Sequence, residues 1–179
     1  CARNIGVQDH FVIMDDYSNG FVYSQNNGLP WNYINNEFMS YAHTETIVSD
    51  STGFYLFPKS YGSASVSKLN IVDSSFSYKS YGLTKSYSRH MFHKDSTYFL
   101  STLSGGLYYS EDASANWEIM ENQLLNKVVN SSTEFDTTFI VATDDGIFHS
   151  YDTGLNWDTA NVDLDNIEIN SVIVYDSTL

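Results

Sequence analysis

The sequence predicts an all-β fold made of about four copies of one four-stranded antiparallel repeat, and three observations carry that reading. An eight-residue string recurs: Ser150-Tyr151-Asp152-Thr153-Gly154-Leu155-Asn156-Trp157 is matched by Ser110-Glu111-Asp112-Ala113-Ser114-Ala115-Asn116-Trp117 and by Ser24-Gln25-Asn26-Asn27-Gly28-Leu29-Pro30-Trp31, with Asn26 in the Asp place. Each copy is preceded by an apolar run, a polar turn with glycine and a second short apolar run, as in Tyr98 to Ser110 and Thr138 to Ser150. His10 to Ser24 repeats this with two extra loop residues at Tyr17-Ser18. The string serines lie 40 and 86 residues apart, and 86 is twice 43. A fourth copy is therefore expected near Ser67, with Phe54 to Phe57 and Gly62 to Ser67 supplying its strands and its string decayed, since no Asp follows two after Ser67 and no Trp seven after. A period of ~40–50 residues with about four strands per unit is the signature of β-propeller blades.

Residues 1–10 read as a lead or tether. Repeats are expected near 11–37, 38–84, 85–122 and 123–163, with a partial one at 164–179. Phe11 to Met14 lack a polar face, as a strand covered on both sides would. Phe38 to Val48 alternates, placing Tyr41, His43, Glu45 and Ile47 on one face. The Ser/Tyr-rich stretch from Ser60 to Ser88 has diverged most; Val66, Leu69, Ile71, Val72 and Phe76 are spaced to bury something, so strands are expected there too. Glu118 to Leu125 is the one helix candidate, and repeat alignment makes Trp117 to Met120 a strand with a loop after it. Ile169 to Tyr175 aligns with Val129 to Phe135. That last strand could close a ring on the first blade, removing sheet edges, or the sequence could be the front part of a longer propeller; the second reading is favoured.

The recurring string has its own chemistry. Asp or Asn can bond backbone N–H groups just ahead of it and close a turn. Glycine supplies the positive φ such turns need, and Trp lays an apolar ring over the hairpin while its N–H seeks an acceptor. The pattern S-x-D-x-G-x-x-W resembles the Asp-box, or BNR repeat, of the superfamily that includes sialidases, sortilin-like receptors and xyloglucan-cleaving enzymes. The resemblance implies a propeller in which Ser24, Asn26, Gly28, Trp31, Ser110, Asp112, Trp117, Ser150, Asp152, Gly154 and Trp157 are structural. Trp31, Trp117 and Trp157 should then occupy equivalent positions beside their own turns.

Composition bounds the function. A chain of 179 residues that is 42% apolar, with 14 Tyr and 11 Phe, supports a folded, strand-rich domain. No run of about 18 apolar residues exists to span a membrane as a helix. A net charge of −14 argues against nucleic acid, whose backbone it would repel. The single cysteine is Cys1, which excludes a disulfide framework. A chain opening on Cys without Met looks like a mature bacterial lipoprotein, so Cys1 is a candidate lipidation site and the membrane a partner only through that anchor. Against it, Ala2 to Gly6 is short and lacks the usual polar spacer.

Sialidases hold the substrate carboxylate with three arginines; this chain has Arg3 and Arg89 alone, so sialidase chemistry is not expected. Xyloglucan-cleaving relatives use two Asp carboxylates, and a carboxylate pair can do acid–base work when its environments differ. Asp15-Asp16, Asp144-Asp145 and Asp163/Asp165 qualify by type, but the first two pairs fall at turns, where acids are common. His90 and His93, with Asp95, are three apart, which on a strand points them to opposite faces. Asn130-Ser131-Ser132 matches a glycosylation acceptor read as a loop, and Tyr78, Tyr81 and Tyr87 could offer an aromatic surface. The expectation is a non-catalytic binding or scaffold module outside the cytoplasm, needing no cofactor or metal and engaging a protein or glycan partner. Part of a glycoside hydrolase is the alternative.

Overall fold

The computed structural model describes residues 4–16, 20–34, 44–58, 66–73, 75–84, 87–112, 114–161 and 167–174. The chain forms two compact units, Cys1–Ser80 and Tyr81–Leu179. In the first, β1 (Ile5–Gln8), β2 (Phe11–Asp16), β3 (Gly20–Ser24) and β4 (Asn32–Tyr33) make one antiparallel sheet, and β5 (Thr44–Asp50), β6 (Gly53–Pro58), β7 (Ser67–Asn70) and β8 (Phe76–Tyr78) a second. In the other unit a third sheet holds β9 (Ser88–Lys94), β10 (Thr97–Thr102), β11 (Gly106–Ser110) and β12 (Glu118–Ile119). A fourth holds β13 (Val129–Phe135), β14 (Thr138–Thr143), β15 (Gly146–Ser150) and β16 (Asp158–Thr159). Every sheet runs in chain order, so each is a meander. Among the described residues no helix is long and apolar enough to cross a membrane.

Local chemistry explains the hairpins. The two-residue turns joining the first and second strands of sheets one, three and four contain Asp9, Asp95 and Asp136, at φ 52, 51 and 56°. Asp tolerates this left-handed conformation better than most side chains. The second sheet solves the same turn differently: Asp50 Oδ1 accepts the N–H groups of Thr52 (2.7 Å) and Gly53 (3.0 Å). Lys68 then neutralises the other oxygen at 3.2 Å.

In the first unit, Phe11, Ile13, Phe21 and Ile34 pack against Phe54, Leu56 and Leu69, with the Phe11 and Phe54 rings 5.4 Å apart. In the second, Phe99, Leu107, Met120 and Leu124 pack against Val129, Phe139, Val141, Phe148 and Trp157, and the Phe99 and Phe139 rings meet edge to face at 5.2 Å. Each core is thus one sheet face laid on the opposite face of the sheet that follows it.

Three expectations need correction. The lead at 1–10 is no mere tether, because Ile5–Gln8 pairs with β2 as the first strand of its sheet. The expected last strand is not one: residues 167–174 lie outside any strand. There the Ile169 N–H donates to the Thr143 carbonyl at 2.9 Å, and its own carbonyl accepts from Asn130 Nδ2 at 3.0 Å. The place beside β2 that Ile169 onward was expected to take is filled, since β1 and β3 already occupy both edges of β2.

The fourth string also sits elsewhere. Gly53, Thr97 and Thr138 open the second strands, and from there Phe54 pairs with Leu69 as Tyr98 pairs with Ser110 and Phe139 with Ser150. Leu69, not Ser67, therefore holds the serine place, and Phe76 holds that of Trp. The Lys79 N–H donates to the Val66 carbonyl at 2.8 Å, as Met120 does to Leu107 and Ala160 to Ile147, which confirms the register. Halving 86 misplaced the string because the repeats are unequal.

Candidate functional site

The string turns come first. In the fourth sheet, Ser150 Oγ accepts the N–H groups of Gly154 (2.9 Å) and Asp152 (3.3 Å) and donates to Asp152 Oδ1 at 2.8 Å. That carboxylate also receives Asn156, backbone on Oδ1 at 2.8 Å and side chain on Oδ2 at 2.7 Å. Trp157 Nε1 donates to the Gly154 carbonyl at 2.8 Å. The third sheet repeats the set: Ser110 Oγ and the Asn116 N–H each lie 2.8 Å from Asp112 Oδ1, and Asn116 Nδ2 bonds Oδ2. Ser114 stands in the glycine place at φ 65°. In the first sheet Ser24 Oγ accepts from Asn26 (3.2 Å) and Gly28 (3.0 Å). These residues are brought together as the pattern predicts, within each turn.

Such bonding favours the ionised acid. The Asn116 side chain and N–H, with Ser110, hold Asp112 down to about 2, and the equivalent donors lower Asp152. A depressed folded-state value contributes stability that is present above the ordinary carboxylate pKa and lost as pH falls through the folded one. The turns should therefore hold from neutral pH down to about 4 and loosen between about 4 and 2. Asp112→Asn should flatten that part of the acid-unfolding profile, checked by following Trp fluorescence against pH.

The three Trp residues differ. A Cβ on Gly28 would sit 3.7 Å from Trp31 Cζ2, and one on Gly154 3.5 Å from Trp157 Cζ2, so both rings cover their glycine. Yet Trp31 is 37% exposed against 2% for Trp117 and Trp157.

Three acids of the first two pairs are tied into the fold. Asp15 is buried and its Oδ1 accepts the Asn4 N–H at 2.8 Å; Asp144 Oδ1 accepts the Val128 N–H at 3.0 Å, and Asp145 Oδ2 pairs with Lys127. His90 bonds Ser132 Oγ at 2.8 Å, and burial pushes its pKa below the usual imidazole value. His93 lies against the Tyr98 ring instead. Asn130 belongs to β13 rather than a loop, its amide held by Ile169. Tyr78 and Tyr81 are exposed, Tyr87 half-buried. Cys1, Tyr17-Ser18, Asp163, Asp165 and the side chain of Asp16 lie outside the described residues.

One cleft was not foreseen. In the second unit a cavity of about 480 Å³ opens between the β9–β10 turn, the outer part of the third sheet and the string turn of the fourth. Phe99, Tyr109, Ile119, Met120 and Leu155 give it an apolar wall; Asp95, Glu111 and Glu121 bring three carboxylates to its rim. Lys94 also lines it, but is committed to Glu134 at 2.5 Å. The Tyr109 hydroxyl donates to Glu118 at 2.7 Å, which raises its pKa and fixes the ring. A partly apolar cleft of this size with convergent polar groups has the build of a ligand site, and its charge favours a cation. Sequence reading missed it because the residues come from four separate segments. The only trace was the run of acids at 111, 118 and 121 around an aromatic strand.

No protein-family model matches the sequence, and no curated protein matches it either. Solved structures do. YCF48 bound to D1 peptide aligns with TM-score 0.63 at 10% identity, over 92% of this chain and 53% of that one. The GH74 xyloglucanase from Xanthomonas campestris aligns with TM-score 0.61 at 12% identity, over 88% of this chain and 30% of that. The extracellular domain of a B. thetaiotaomicron protein described as a one-component system aligns with TM-score 0.65 at 14% identity, over 88% and 21%. The chain thus spans about half the length of the first and less of the others. At these identities the likeness carries the fold, and with four antiparallel four-stranded sheets in sequence it settles that fold: the chain is built of β-propeller blades.

Proposed function

We propose that this chain is a non-catalytic binding module, acting outside the cytoplasm, that grips a basic side chain of a protein partner in the cleft of its second unit. The observation that carries the reading is the pairing of an apolar wall, Tyr109, Ile119 and Leu155, with the carboxylates of Asp95, Glu111 and Glu121. A Lys or Arg stem lies along apolar surface while its charged head meets carboxylates, and a ring face adds cation–π attraction. YCF48, a fold neighbour, binds a peptide, which supports a protein partner over a glycan. Location outside the cytoplasm is supported by the extracellular neighbour, and anchoring through Cys1 remains part of the proposal.

The test is calorimetric titration with a Lys/Arg-rich peptide, an acidic peptide of equal length and a neutral oligosaccharide. The basic peptide alone should bind, more weakly at high salt and roughly tenfold more weakly in a Glu111→Gln/Glu121→Gln double variant that melts normally. Binding of the oligosaccharide alone would refute the reading. The xyloglucanase likeness motivates a companion screen of aryl-glycosides and polysaccharides. No hydrolysis above buffer is expected; turnover abolished by Asp15→Ala or Asp145→Ala with the fold intact would install the hydrolase reading.

A further inference from the structure

The acids in and around the cleft of the second unit fall into two groups. Asp112 is answered by Ser110 and Asn116, Glu118 by the Tyr109 hydroxyl, and Glu134 by Lys94. Asp95, Glu111 and Glu121, the three carboxylates of the rim, have no hydrogen-bond or ion-pair partner among the described residues. Lys94, which also lines the cleft, is held by an acid that does not. An unneutralised rim beside an apolar wall is complementary to a cation supplied from outside.

The cleft also holds one ring in place. Phe99 is 2% exposed whereas Tyr109 is half-buried, so Tyr109 is the aromatic side chain a ligand can reach. Its ring packs on the core that contains Phe99 and Met120. Its hydroxyl donates at 2.7 Å to Glu118, directly opposite on β12. A second cavity of about 270 Å³ shares Tyr109 and Glu111 with the cleft and is otherwise lined by Ser110, Asp112, Asn116 and Glu118. Released from Glu118, the ring is free to turn toward that space. The hydrogen bond is what keeps it in the cleft wall.

Chemistry then separates the two basic side chains. A guanidinium is planar and weakly hydrated, stacks on a ring, and carries five N–H donors, enough to meet more than one carboxylate. The lysine ammonium is a compact, strongly hydrated point charge, which gains less from a ring and an apolar wall. Three unpartnered carboxylates around a single fixed ring match the guanidinium. Resting on the reading of the cleft as a site for a basic side chain, we infer that this side chain is an arginine of the partner and that Tyr109, positioned by Glu118, selects it over lysine.

Fluorescence polarisation with two labelled peptides, alike except for arginine or lysine at every basic position, tests this. Wild type should bind the arginine peptide roughly tenfold more tightly, the scale of ring stacking plus a fork of charge-assisted bonds. Tyr109→Leu should bring that ratio near one. Glu118→Ala, at an exposed position, should lower the ratio with melting unchanged, and it carries the test if Tyr109→Leu disturbs folding. Glu118→Gln still offers the hydroxyl an acceptor, so it should restore the ratio while weakening both peptides. Loss of a charge alone would weaken both peptides equally and leave the ratio untouched. Equal affinities in wild type, or a ratio indifferent to both Tyr109→Leu and Glu118→Ala, overturns the inference and leaves the cleft a site for either basic side chain. Failure of both peptides to bind removes the inference together with the reading it rests on.

Discussion

Trp157→Ala is expected to cost about 3–5 kcal/mol, the range for emptying a large aromatic site in a packed core, while Trp31→Ala costs about 1 kcal/mol or less, near the surface-substitution range. The two residues hold the same place in the same pattern, so sequence alone predicts equal losses. Their surroundings decide otherwise. Trp157 is 2% exposed and packs with Phe99, Met120 and Leu124. Its Nε1 donates to Gly154 at 2.8 Å and its backbone N–H to Gln123 Oε1 at 3.2 Å. Trp31 covers Gly28 but remains 37% exposed. Thermal melts should show Trp157→Ala lowering the midpoint by on the order of 10 °C and Trp31→Ala by little. Equal shifts would mean that the Trp acts within its own turn, and that the packing between sheets contributes nothing through it.

The parts of this fold legible in the sequence are those written in local bonds. Ser110, Asp112 and Asn116 satisfy one another within a single turn, so their spacing survives as letters, and Ser150, Asp152 and Asn156 repeat it. Where the same turn rests on packing, the letters vanish. Leu69 and Phe76 replace Ser and Trp, with Phe76 against the core of the first unit, and Asn70 and Asp73 supply substitute turn bonds to Val72 and Ser75. The first strand reads in the sequence as a lead because Ile5 and Val7 face outward while Gly6 faces in, where Ile47, Phe54 and Ile13 leave no room for a side chain. The cleft was illegible for another reason: Asp95, Tyr109, Glu121 and Leu155 lie far apart in sequence and meet only through the stacking of two sheets.

Gly106→Ala should cost about 3 kcal/mol or more, the scale of a backbone clash added to strain, although a methyl group is the smallest change available. Gly106 opens β11 at φ +76°, a conformation that costs a side-chain-bearing residue roughly 1–2 kcal/mol by itself. An added Cβ would also sit 2.3 Å from the Leu124 carbonyl oxygen, too close for any real contact. That carbonyl cannot step aside. It accepts the Lys127 N–H at 3.0 Å, while the Leu124 N–H is held by Asn122 Oδ1 at 3.0 Å and the Leu124 side chain is fully buried. Gly154 is the control. Its φ is +86°, but the nearest atoms to a Cβ there are side-chain carbons at 3.5–3.6 Å, and Ser114 already fills the matching place in the third sheet at φ 65°. Gly154→Ser should therefore cost no more than about 1–2 kcal/mol. Urea unfolding of both variants measures the difference. Equal midpoints would show that the left-handed conformation, and not the approach of Leu124, is what fixes glycine at the start of the strand.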